Sequence, residues 1–66
     1  METLELMELH NDCMTYGFTI KQTDIDSNEG LHTIRIIKLA NRYYYDHMCR
    51  GEVLECELIG EEDEQE

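Results

Sequence analysis

Residues 31–50 read LHTIRIIKLANRYYYDHMCR, and the assignment of this one stretch decides the fold. Neither glycine nor proline interrupts it. Arg35, Lys38, Arg42 and Asp46 recur every three to four residues, which is the spacing of a polar stripe on a helix. Ile34, Ile37, Ala40, Tyr44 and Met48, with Ile36 and Tyr43, cover much of the remaining surface. Gly51 follows at the position of a helix C-cap, and Arg50 suits the negative end of the helix dipole. The β-branched and tyrosine content argues the other way, toward a hairpin. The periodicity and the capping residues predict a helix.

The flanking segments read as strands. In residues 14–23, MTYGFTIKQT, Tyr16, Phe18 and Ile20 alternate with Thr15, Thr19 and Lys21. Gly17 inside this run marks a bend or a close neighbouring backbone. Residues 3–10, TLELMELH, are expected to pair with it through a turn at Asn11 and Asp12. The alternative makes this segment a helix with Glu2, Glu5, Glu8 and Asp12 on one side. Residues 24–30, DIDSNEG, carry loop chemistry. Residues 52–59 alternate acids with apolar residues, as a half-buried strand does. The expected fold is therefore α+β, a small β-β-α-β domain with a short, mostly antiparallel sheet and one helix packed on one face. A single domain spans residues 1–60, and 61–66 form an acidic flexible tail.

A chain of 66 residues buries a modest core and gains from a partner, metal or disulfide. Its apolar fraction of 41% is too high for a disordered acidic segment, so a fold is expected. No apolar run is long enough to cross a bilayer, and no basic-then-apolar leader is present, which predicts a soluble, cytoplasmic protein. Cys13, Cys49 and Cys56 are an odd set that reads as reduced core thiols. The net charge is −11, and it is unevenly laid out. Residues 1–30 carry −6, residues 31–50 carry +3, and residues 51–66 carry −8. Direct binding to nucleic acid is disfavoured by that field, whereas a strongly basic partner is attracted.

Three chemical constellations fail on inspection. Asp24, Asp26 and Asn28 sit at the first, third and fifth positions of a calcium loop. Glu29 then stands where that loop needs glycine, and Arg35 where it needs a bidentate glutamate. His10, Cys13, His47, Cys49 and Cys56 could be drawn as zinc ligands, but no Cys-x-x-Cys pair anchors them. No nucleophile elbow or phosphate-binding loop appears. The expectation is a non-enzymatic protein without metal or cofactor. Tyr43 and Tyr45, within RYYYDHM, are candidate anchors of a homodimer, because tyrosine is enriched at binding hot spots.

The acids carry the functional reading. Glu55 and Glu57 lie two strand residues apart, about 6.8 Å, comparable to the step between neighbouring phosphates. The segments ELMELHND, DIDSNE and GEVLECELIGEEDEQE, taken over most of the chain, resemble small acidic phage-encoded host-takeover proteins of the DNA-mimic type, which include inhibitors of the bacterial nucleoid protein HU. The resemblance implies a dimeric inhibitor that occupies the DNA-binding surface of a basic, DNA-binding protein such as HU. Glu2, Glu5, Glu8, Asp24, Asp26, Glu52, Glu55 and Glu57 are the candidate contact set. The competing expectation is an acidic accessory subunit of a protein assembly, held through its tyrosine-rich hydrophobic surface.

Overall fold

Helix α1 (Thr3–Tyr16) leads into four strands, β1 (Phe18–Ser27), β2 (Gly30–Leu39), β3 (Arg42–Cys49) and β4 (Glu52–Glu61), in a computed structural model that describes residues 3–62. The strands form one antiparallel sheet in the order β1-β2-β3-β4. The helix packs on one face of it, against β4 and β2. The expected α+β class, antiparallel sheet and single covering helix all hold. The order of elements is α-β-β-β-β in place of β-β-α-β.

The difference lies in the central stretch, which is the β2–β3 hairpin. Thr33, Ile34, Ile36, Ile37 and Tyr43 to Tyr45 suit a pleated, half-buried surface better than a helix. The register sets Ile37 opposite Tyr44 and Ile36 opposite Tyr45, and such β-branched–aromatic pairs each contribute a few tenths to about 1 kcal/mol. The expected polar stripe is divided by this register. Arg35 and Asp46 face each other on the helix side, while Lys38 stands opposite Tyr43 on the other side. Arg50 and Gly51, with φ of 56° and 80°, take the two positive-φ positions of a type I′ turn between β3 and β4. Gly51 thus serves a hairpin and not a helix C-cap.

At the N-terminus, residues 3–10 adopt the alternative helical reading and not a strand, because Leu6, Leu9, His10 and Cys13 form one stripe that covers the sheet. Strand β1 consequently starts at Phe18, later than residue 14. Tyr16, Phe18 and Ile20, whose alternation suggested one strand face, are 75%, 64% and 51% exposed. Gly17 makes the close approach its position suggested. Its N–H bonds the Cys13 carbonyl at 3.0 Å, and a Cβ here would lie 2.8 Å from Ile37 Cγ2 and 2.9 Å from the carbonyl oxygens of Cys13 and Lys38. Asp24–Ser27, expected in a loop, belong to β1, and only Asn28 and Glu29 make the turn.

Ile37, Tyr44, Cys13 and Cys56 form the buried core, with Leu6, Leu9, Leu39 and Val53 packed around it. Strand β4 extends the expected 52–59 by two residues. Leu54 and Leu58, apolar members of its acid–apolar alternation, are each 46% exposed. The register slips beside both of them, so Cys56 and Val53 are the anchors. Glu61, expected in the tail, ends β4. Glu62 is also tied down, through its N–H to the Asn41 carbonyl and its carboxylate 3.0 Å from Lys38 Nζ. Residues 63–66 of the expected tail lie outside the described residues. Among the described residues, no helix is long and apolar enough to cross a membrane.

Candidate interaction surfaces

The helix presents one row of acids. Its buried stripe directs Glu5, Glu8 and Asp12 outward, and all three are exposed. They are about 4.5 and 6 Å apart along the axis and fall within one side of the cylinder, because three- and four-residue steps return to the same face. No lysine or arginine occurs in Thr3–Tyr16. Glu2 lies outside the described residues.

Strand β4 presents a second row on the opposite side of the sheet. Glu52, Glu55 and Glu57 stand across from Cys49, His47 and Tyr45, on the face the helix leaves uncovered. Asp24 and Asp26 are elsewhere. They lie on β1 at the far edge, and their partners Thr33 and Leu31 place them on the helix-side face. Three strand spacings, about 14 Å, separate β1 from β4. The seven expected contact acids among the described residues therefore form three separate groups, of which the helix row and the β4 row border the same edge of the domain.

The basic central segment is largely neutralised within the chain. Arg35 Nη1 lies 3.6 Å from Asp46 Oδ2, Lys38 pairs with Glu62, and Arg42 Nε lies 3.3 Å from Glu61 Oε2. Hydrogen bonding to Glu62 and its nearby charge raise the Lys38 pKa, so the ammonium stays charged.

The uncovered face carries His32, Ile34, Ile36 and Lys38 from β2, with Tyr43, Tyr45, His47 and Cys49 from β3, all half-buried. Tyr43 and Tyr45 thus share a surface, whereas Tyr44 points under the helix and is 7% exposed. His32 Nδ1 and His47 Nε2 are 2.9 Å apart. One nitrogen must donate and the other accept, so the contact requires at least one neutral ring. Cys49 Sγ approaches the other nitrogen of His32, Nε2, at 3.7 Å. One ion cannot bind both neighbours of His32, because they address opposite sides of its ring.

A second cluster is sealed between helix and sheet. His10 Nδ1 lies 2.8 Å from Asp46 Oδ1, and the Asp46 side chain is fully buried. Asp46 Oδ2 has no hydrogen-bond partner, since Arg35 stands just beyond bonding distance. Cys13 and Cys56 lie beside this pair, and burial pushes both thiols up from their ordinary pKa. They remain protonated at neutral pH and are poor nucleophiles. The zinc set drawn from the sequence is split by the sheet. His10, Cys13 and Cys56 lie beneath the helix, and His47 and Cys49 on the other face. Among the described residues, no three His, Cys, Asp or Glu side chains are arranged to hold a metal ion. The sequence does not reveal the His10–Asp46 pair, because helical spacing sets Asp46 in a polar stripe with Arg35, Lys38 and Arg42. As a strand, YYYDHM alternates Tyr44, Asp46 and Met48 onto one face, which is the signal of an inward acid.

Compared with protein-family models, curated proteins and solved structures, the chain matches none.

Proposed function

We propose that this protein is a non-enzymatic inhibitor that offers a basic nucleic-acid-binding protein, such as a bacterial nucleoid protein of the HU type, a substitute for the charge of DNA. The observation that carries the reading is the exposed row Glu5, Glu8 and Asp12 on a helix without lysine or arginine. A row fixed on a helix presents charges at set intervals, as a phosphate backbone does. Pairing of Arg35, Lys38 and Arg42 with acids of the same chain supports it further, because those cations do not oppose the field that steers a basic partner.

Competition tests this. The protein should displace DNA from purified HU, and the displacement should weaken steeply with salt. The triple variant Glu5→Lys/Glu8→Lys/Asp12→Lys should keep its circular dichroism spectrum and lose displacement. A folded triple variant that competes as well as the parent refutes the helix row as the mimic. The half-buried Ile and Tyr side chains of the uncovered face favour a second reading, an accessory subunit held through that face. Binding to its partner would be nearly insensitive to salt.

A further inference from the structure

We propose that the uncovered sheet face is a homodimer interface in which two copies pack face to face about a twofold axis parallel to the strands. The inference does not depend on the target of the acidic helix row. A sheet face left to water normally carries polar side chains. This one centres on Ile34, Ile36, Tyr43 and Tyr45, half-buried within the chain and uncovered by any described element.

The register identifies a second copy as the occupant. Lys21 pairs with Ile36, Ile36 with Tyr45, and Tyr45 with Glu57, so these four side chains form one row straight across the uncovered face. The next row is Thr23, Ile34, His47 and Glu55. A half-turn about the strand direction reverses the order of strands and preserves height along them. It lays β1 over the partner's β4 and β2 over the partner's β3. Lys21 then meets the partner's Glu57, and Ile36 meets the partner's Tyr45, each contact occurring twice. The row is basic at one end, apolar in the middle and acidic at the other, so it complements itself under this operation. A half-turn about an axis across the strands has no such match, since it sets Lys21 and Glu57 against their own copies.

The area suffices. Four strands about 4.8 Å apart and about eight residues long make a face of roughly 500 Å². Two copies therefore bury on the order of 1,000 Å², the lower bound for a specific interface. The dimer would be a sandwich with sheets about 10 Å apart and a helix on each outer side, leaving Glu5, Glu8 and Asp12 exposed. Glu57 becomes an interface residue and is no longer available as a phosphate substitute.

A charge-swap mixing experiment tests the pairing. Analytical ultracentrifugation of the parent should show a species of twice the 7.8 kDa chain mass at micromolar concentration. K21E and E57K each set like charges together twice in their own homodimers, and each should weaken self-association by at least about tenfold. Neither should unfold the chain, because Lys21 and Glu57 are exposed and on opposite edge strands of the sheet. Mixed in equal amounts, the two variants should recover the parent's dimer fraction, since opposite charges then meet at both positions. A monomeric parent, or a mixture no more associated than either variant alone, overturns the proposal. A dimer that resists both substitutions also overturns it, because that assembly uses another surface such as the β1 edge. Displacement of DNA by the folded variants reads the helix row separately, so failure of the dimer and failure of the mimic are distinct results.

Discussion

Replacing Asp46 should cost more stability than any other single change of similar volume. Its carboxylate is fully buried, accepts from His10 at 2.8 Å and faces Arg35 at 3.6 Å. Asp46→Leu leaves the His10 ring, itself only 8% exposed, with an unanswered polar nitrogen in the core. Leaving a buried polar group without its partner costs about 1–3 kcal/mol. A domain of this size has a total stability of about 3–10 kcal/mol at the usual figure per residue, so the loss is a large share of it. Asp46→Asn keeps an acceptor for His10 and should cost less than Asp46→Leu. Removing both partners should be far milder. In His10→Leu/Asp46→Leu no buried polar group is stranded, and apolar replacement of a buried pair is often neutral or better. Arg35, whose side chain is 22% exposed, can turn its guanidinium to water. Urea unfolding followed by far-ultraviolet circular dichroism, run as a double-mutant cycle, measures the coupling. A cost below about 1 kcal/mol for Asp46→Leu, or losses that simply add in the double variant, would refute the pair as the polar keystone of the core.

Two further outcomes follow from the same packing. Gly17→Ala should destabilise by about 1–3 kcal/mol, because two of the atoms a Cβ would strike are the backbone carbonyl oxygens of Cys13 and Lys38; an unchanged urea midpoint would contradict it. At concentrations where the chain is monomeric, Cys49 is half-buried and should react with a thiol reagent well before Cys13 and Cys56, whose pKa values are raised by burial. Those two raised values also predict that stability falls as pH climbs through about 9, where the unfolded thiols release protons that the folded ones retain. Melting temperatures across that range check the sign, and the decline should be reduced in Cys56→Ala relative to its own value at neutral pH.

Much of the architecture follows from local pattern. The acid–apolar alternation from Leu54 to Leu58 identifies β4, because it has the period of a strand. Gly17 marks a close backbone approach, since only a residue without Cβ tolerates one. The expectation against a calcium loop rests on Glu29 and Arg35 alone. Two segments are ambiguous locally, for one physical reason. Residues 3–16 and 31–50 each satisfy a helical and an extended pattern, so the balance depends on what each face meets. Strands β2 and β3 form because Ile37 and Tyr44 can pair and be capped by α1, while α1 forms because Leu6, Leu9 and Cys13 find that sheet. The turn at Ala40, with φ of 59°, has no glycine to announce it. Tertiary pairing alone placed Asp46 against His10, 36 residues away, and aligned Lys21, Ile36, Tyr45 and Glu57 in one row. Contacts between distant residues depend on register, and register is decided only when every strand has chosen its neighbour.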